Sequence, residues 1–301
     1  MCELIGNVKL NLKFYKGKDY YSDGDIEDEI LEMVKKYDKY DELIYKDNRW
    51  AVLYHLSKLR ENIIEWYPFK ENSEVLEIGS GCGAITGVLC DKSGKVTCIE
   101  LSKKRSTINA YRNRYRDNLE IIVGNLNDVK LDKKFDYITL IGVLEYSRYY
   151  TNTTSPCEDF LKNIKKFLKE DGKLIIAIEN KFGLKYWAGC REDHTGNFFD
   201  SLENYTGTKD VITFSKEELK NILNTVGFKN LDFYYPMPDY KFPSQIFSDN
   251  RLPGVGELRN LVINYDQDRL LLFDEGLVYD NIIENGKFDF FANSFLVFCG
   301  L

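Results

Sequence analysis

The stretch Glu74-Val75-Leu76-Glu77-Ile78-Gly79-Ser80-Gly81-Cys82-Gly83-Ala84-Ile85 constrains this chain more than any other. It reads as a short buried strand, a glycine-rich turn and the first turn of a helix. Glycines at 79, 81 and 83 carry no β-carbon where the backbone must bend tightly and let a ligand come close. The amides opening the following helix would face that ligand with the positive end of a dipole. A second strand, Val96-Thr97-Cys98-Ile99, ends in Glu100, about 20 residues past the first glycine. Neither Glu77 nor Glu100 has a packing reason to end a buried strand.

Dinucleotide-binding folds carry a ribose-binding acid at the Glu100 position, but Gly-x-Gly-x-Gly is not the Gly-x-Gly-x-x-Gly that seats a pyrophosphate. With Glu77 ahead of it, the motif resembles motif I of the class I S-adenosylmethionine (SAM) methyltransferases, E/D-x-G-x-G-x-G, and Glu100 matches their ribose acid. The resemblance covers residues 72–235 and 294–299. It implies SAM as cofactor, with Gly79 and Gly81 near its methionine and ribose portions and Glu100 accepting from both ribose hydroxyls. Asn125 and Leu126 would border the adenine. Glu77, Ser80, Gly83, Leu101, Ile141 and Gly142 complete the implied cofactor set. Ile141-Gly142-Val143-Leu144-Glu145-Tyr146 matches the end of strand four, where relatives often read Val-Leu-Glu-His, so Tyr146 stands in place of that histidine. The Asn/Asp-Pro-Pro-Tyr of amino-directed nucleic-acid methyltransferases is missing, as is a convincing acidic set for a catechol-type metal. No metal is expected.

At 301 residues and 44% apolar content, one core with elaborations, or one domain plus a cap, is expected. A net charge of −7 argues against a nucleic-acid partner. The basic run from Lys103 to Arg116 reads as a solvated helix face. Seven cysteines with no CxxC or zinc spacing point to reduced thiols and a cytoplasmic protein. No apolar run approaches a bilayer span.

Residues Val8–Phe14 alternate apolar and polar, as a half-buried strand does. A loop at Tyr20–Asp25 leads to a helical stripe of Ile26, Ile30, Met33, Val34 and Tyr37. Asp47 or Asn48 can cap a second helix through Val52, Leu56, Leu59 and Ile63. Residues 1–70 are therefore expected to form an N-terminal extension folded over the cofactor site, with Arg49 a candidate partner for the methionine carboxylate. Residues 71–301 then alternate strand and helix, with strands at Val75–Ile78, Val96–Ile99, Leu119–Val123, Tyr137–Ile141, Lys173–Ile178, Leu231–Tyr235 and Ser294–Cys299. Helices are expected at Ala84–Cys90, Lys103–Tyr115 and Cys157–Leu168, and Ser215-Lys216-Glu217-Glu218 is a capping box for another ending at Gly227. The fold class is α/β: a Rossmann-like, seven-stranded, mostly parallel sheet with helices on both faces. The family resemblance implies that its last two strands are antiparallel. Segments 180–212 and 236–293 are too long for structureless loops and are expected to cap an acceptor substrate.

His55 falls within a helix and suits packing. His194, in Cys190-Arg191-Glu192-Asp193-His194-Thr195, is a general-base candidate that Glu192 or Asp193 could orient, with Glu145 and Tyr146 the other catalytic candidates. The insertion's aromatics, Phe182, Tyr186, Trp187, Phe198, Phe199 and Tyr205, suit either stacking on an acceptor or a small core of their own. The expected activity is methyl transfer to a hydroxyl of a glycan or small molecule. Transfer to nitrogen or carbon of another metabolite, or a non-catalytic SAM-binding scaffold, are the alternatives. The texts Asn180–Trp187 and Pro236–Pro243 resemble bacterial methyltransferases found with glycosyltransferases of surface-polysaccharide synthesis, which implies association with such a partner.

Overall fold

The strands that the apolar runs foretell do form, and their interiors are covered on both faces, as parallel strands require. The chain, in a computed structural model describing residues 2–19, 24–151, 153–207, 210–264 and 266–301, divides into two compact units. The first is Met1–Leu140 with Lys166–Lys173; the second is Ile141–Lys165 with Leu174–Leu301. Most of the expected Tyr20–Asp25 loop lies outside the described residues.

In the first unit the strands are β1 (Cys2–Ile5), β2 (Val8–Phe14), β3 (Glu74–Ile78), β4 (Lys95–Glu100), β5 (Leu119–Gly124) and β6 (Phe135–Ile141). Their order is β1-β2-β5-β4-β3-β6, and every pairing after the β1–β2 hairpin is parallel. β7 (Leu168–Glu179) begins in this unit and continues into the second. The helices are α1 (Ile26–Lys36), α2 (Asp41–Lys46), α3 (Trp50–Leu56), α4 (Thr86–Lys92) and α5 (Lys103–Arg112).

Two expectations change here. The alternating segment Val8–Phe14 extends the sheet, pairing with β5 from Lys9↔Glu120 onward, and its hairpin with β1 covers what would be a bare edge. The helix expected to run from Asp47 or Asn48 to Ile63 breaks instead at Ser57, whose backbone is extended (φ −68°, ψ 135°). Ser57 Oγ caps a separate 3-10 turn by accepting from Leu59 N, and Arg49 occupies the N-cap of α3. Ile30, Val34, Val52, Leu56, Cys82 and Ile108 form one apolar cluster that packs the N-terminal helices on α5.

The basic run on α5 is not a solvated face. Arg105 Nε donates to Glu27 Oε1 at 2.6 Å with both side chains nearly buried, and Arg112 donates to the carbonyl of His55. Arg114 donates to Val34 O at 2.6 Å. Arg112 and Arg114 satisfy carbonyls near the C-termini of α3 and α1, and Arg105 ties down the first turn of α1.

The second unit holds α6 (Ser147–Tyr150), α7 (Pro156–Lys165), α8 (Leu184–Trp187), α9 (Lys216–Val226), β8 (Asn230–Met237), β9 (Gln245–Ser248), α10 (Glu275–Glu284), α11 (Phe288–Phe291) and β10 (Ser294–Gly300). Its strand order is β7-β10-β8-β9, all antiparallel. The Ser215/Glu218 capping box forms, and Gly227 ends α9 at φ +94°. The fold is Rossmann-like α/β, a mostly parallel sheet flanked by helices, with N-terminal elements and insertions added. Ten strands occur among the described residues rather than seven, the additions being β1, β2 and β9.

Candidate active site

In the first unit the glycine loop follows β3 and is held by the acid that ends β4. Glu100 Oε2 accepts from Gly81 N at 2.9 Å, and Oε1 accepts from Ser102 N at 2.9 Å. One carboxylate thus fixes both the loop and the start of α5. Gly79, at φ +72°, donates its amide to Ile99 O at 2.8 Å, which ties the loop to β4. Gly81 has φ +51° and nothing within 4 Å of where a β-carbon would sit. Ser80 Oγ is buried and has no hydrogen-bond partner.

Glu77 and Gly83 serve the loop from beneath. Glu77 Oε2 accepts from Thr86 Oγ1 at 2.6 Å and from Cys98 Sγ at 3.2 Å. Burial pushes its carboxyl up to about 7 despite those donors. A β-carbon on Gly83 would fall 2.3 Å from Asn109 Oδ1, so glycine there lets α5 approach the loop. Asn125 Oδ1 accepts from Asn127 N at 2.9 Å in a turn, beside the buried Leu126. Leu101 is half-buried between Glu100 and the Ser102 cap. Asp19 carboxylate oxygens accept from Ser102 Oγ and from the amides of Lys103 and Lys104 at 2.8–3.1 Å, which anchors the N-terminal chain at the head of α5. Arg49 is committed elsewhere: it makes bonds of 2.6–3.2 Å to Asp47 and Glu29 at the surface.

The second unit gathers the three catalytic candidates, with Glu145 and Tyr146 against His194. Its Nδ1 lies 3.1 Å from Glu192 Oε1; its Nε2 lies 3.7 Å from Glu145 Oε1 and 4.0 Å from Glu179 Oε2. Tyr146 meets the ring edge-on at 5.5 Å. Burial penalises a charged ring, but Glu179, Glu145 and Glu192 outweigh it and hold the imidazole well above the ordinary histidine range. Burial raises the Glu179 carboxyl. Neither Glu179 oxygen accepts a hydrogen bond, nor does Glu145 Oε2.

Glu192 is fixed by the amides of His194 and Thr195, each at 2.7 Å, and by Tyr205 OH at 3.1 Å. Beside it, Asp193 accepts from Tyr186 OH at 2.5 Å, pairs with Lys185 at 2.8 Å and also binds Lys241. Ile141 and Gly142 close β6; Gly142, at φ +68°, donates to Ala177 O at 3.0 Å, and a β-carbon there would meet Tyr240 OH at 2.9 Å. A narrow cleft in this unit is lined by charged and apolar groups together, among them Lys185, Asp239, Arg269 and Glu275 beside Cys190 and Ile263. Of the insertion's aromatics, Tyr186 and Tyr205 are core, while Trp187 and Phe199 are exposed. His55 is buried in α3.

Sequence reasoning missed Glu179. The signal was available, because it is a third acid closing a buried strand, just beyond the expected end at Ile178.

A methyltransferase-domain family model matches residues 76–174. An uncharacterized methyltransferase of Staphylococcus carnosus is 32% identical over 161 residues, 52% of this chain and 70% of that protein. The ribosomal RNA small subunit methyltransferase A of Fusobacterium nucleatum is 24% identical over 255 residues, 81% of this chain and 93% of that protein. A chain in the complex between the Haloferax volcanii Trm112 methyltransferase activator and the putative methyltransferase shares the fold, with a TM-score of 0.51 at 16% identity. That match covers 94% of this chain and 98% of the other. Fold, glycine loop and terminal acid define a cofactor-binding α/β enzyme. The chain belongs to the class I SAM-dependent methyltransferases, and SAM is its cofactor. Among the described residues no helix is long and apolar enough to cross a membrane.

Proposed function

We propose that the chain methylates a hydroxyl of a glycan or small molecule, with the His194–Glu145–Glu179 cluster, rather than a lone imidazole, receiving the acceptor's proton. The observation that carries this reading is the set of buried carboxylate oxygens on Glu145 and Glu179 that accept no hydrogen bond. Buried acceptors of this kind are costly unless a donor arrives, and an acceptor hydroxyl is such a donor. Tyr146 bounds the ring of His194 rather than supplying a base, because a phenol titrates too high.

SAM, when bound, supplies an electrophilic methyl group. Ser80 Oγ without a partner, open space at Gly81 and the Glu100 carboxylate suit its ribose and methionine portions. In this reading Gly79, Leu101, Asn125 and Leu126 line the remainder, and Glu77 and Gly83 shape the loop from below. In the same reading the N-terminal extension, residues 1–70, covers the cofactor, and segments 180–212 and 236–293 hold the acceptor. The resemblance of Asn180–Trp187 and Pro236–Pro243 supports a glycan and an associated glycosyltransferase.

The test is S-adenosylhomocysteine release from SAM across a panel of sugars, nucleotide sugars and phenols, with matched amines, followed by mass spectrometry. Methyl ether formation is expected, with Glu179→Gln and His194→Ala each slowing it by about 10²–10⁴-fold. Turnover confined to amines or carbon acids would overturn the hydroxyl assignment.

A further inference from the structure

The cluster around His194 has more negative charge than its protein partners balance. Glu145, Glu179 and Glu192 surround one imidazole, and their side chains are at most 1% exposed. Lys241 Nζ reaches Glu179 Oε1 at 3.4 Å, but it is shared with Asp193 and with Asp266 at 3.1 Å. Donor atoms of Glu145, Glu179 and His194 lie within 4.8 Å of one another, the one such grouping among the described residues.

The orientation of the ring adds an independent observation. Glu192 occupies Nδ1, and Glu192 is itself pinned by two backbone amides and a tyrosine hydroxyl. With Nδ1–H donated to that carboxylate, Nε2 faces Glu145 and Glu179, and a cation bound there would displace its proton. A carboxylate behind a histidine, fixing its tautomer, is the arrangement that supports metal-ligating imidazoles. In front of the ring stand Glu145 Oε1 and Glu179 Oε2, and both Glu179 oxygens and Glu145 Oε2 are buried without a hydrogen-bond partner.

We propose that Glu145, Glu179 and His194 Nε2 form a binding site for one divalent first-row cation, with Glu192 as the positioning residue behind His194. Ligands at about 2.0–2.2 Å from an ion lie roughly 3–3.5 Å apart. The two imidazole–carboxylate gaps of 3.7 and 4.0 Å close to that range with shifts of less than about an ångström. One nitrogen and two carboxylates favour Mn²⁺, Fe²⁺, Co²⁺ or Zn²⁺ over the all-oxygen sites of Mg²⁺ and Ca²⁺. Three protein ligands leave positions open, and a hydroxyl oxygen entering one would be polarised by the ion. Only this last role rests on the proposed acceptor; the binding does not.

The experiment titrates Mn²⁺ into untagged, chelator-stripped full chain, without SAM or acceptor, and reads bound metal by electron paramagnetic resonance. Mn²⁺ is chosen because it does not seek the chain's thiols. One equivalent is expected, with Glu179→Gln weakening it at least tenfold and Glu192→Gln, which removes no ligand, weakening it about 10–100-fold. Should a variant fail to fold, spin-echo modulation of the unmutated protein still decides the matter, because a coordinated imidazole nitrogen must appear in it. No uptake at millimolar Mn²⁺, uptake without imidazole modulation, or uptake indifferent to both variants would overturn the site. Since no methyl transfer is read, a wrong acceptor would leave a positive result standing.

Discussion

Glu100, at the end of β4, accepts the amide hydrogen of Gly81 at 2.9 Å, so the residue proposed for the ribose also holds the glycine loop. On that proposal the carboxylate has two tasks, and substitution separates them. Glu100→Gln keeps an oxygen for one backbone amide and loses the charge, whereas Glu100→Ala loses both.

For that pair of variants, calorimetric titration with SAM and with S-adenosylhomocysteine is the measurement. Each charge-assisted hydrogen bond lost should cost about 1.5–3 kcal/mol of binding, with Ala worse than Gln. Affinity unchanged in both variants would remove Glu100 from the ribose.

Glycines 81 and 83 share the left-handed region but should fail in opposite ways. A β-carbon at Gly83 collides with Asn109, at 2.3 Å from its Oδ1, whereas at Gly81 it meets open space. Gly83→Ala is therefore expected to lower the melting temperature and lose stability by more than the ~1–2 kcal/mol that a left-handed alanine costs by itself. Gly81→Ala should show little beyond that strain cost, yet lose SAM affinity by tenfold or more. Thermal melts beside calorimetry read both; equal melting losses would mean that the packing argument is wrong.

These contrasts show which parts of the site were legible. The strand, glycine loop and terminal acid are written within a window of under 30 residues, and backbone geometry demands their residue types locally. The α9 capping box and Gly227 are equally local, and both formed. Long-range partners were not legible. Nothing in the sequence around Lys103–Arg116 announces that Arg112 and Arg114 reach carbonyls of α3 and α1. The break at Ser57 is likewise set by a cap onto Leu59 within an otherwise helical pattern. Lys185, Asp239 and Lys241 gather beside Asp193 only through chain reversals that periodicity does not encode.

The Glu77 carboxyl should leave a pH signature on stability. Its folded pKa, about 7, exceeds the ordinary 4.5 because burial disfavours the charge. The folded state therefore holds a proton that the unfolded state releases between these values. The stability it contributes is complete below about pH 4.5 and is lost as pH rises through about 7, an upper span of about 3 kcal/mol. Glu77→Gln removes the titration and should flatten this part of the profile. Urea denaturation of both proteins from pH 4.5 to 8 measures the difference; parallel profiles would show that Glu77 does not titrate in this window.

Asp193 offers the sharpest stability test in the second unit. Its carboxylate is 2% exposed and accepts from Lys185, Lys241 and Tyr186. Asn keeps the shape and removes the charge, leaving Lys185 with Asp239 only at 3.8 Å, while Lys241 keeps Asp266 at 3.1 Å and Glu179 at 3.4 Å. Leaving a buried charge uncompensated typically costs 3–5 kcal/mol, so Asp193→Asn should be destabilised by about that much. The complementary variant changes Lys185 to Met together with Asp193→Leu, removing the closest pair while Lys241 keeps Asp266 and Glu179. If desolvation governs the cost, this double variant should be more stable than Asp193→Asn although it has lost more ion pairs. Chemical denaturation ranks the three proteins. A double variant less stable than Asp193→Asn would mean that the Lys185–Asp193 pair contributes net attraction beyond its desolvation.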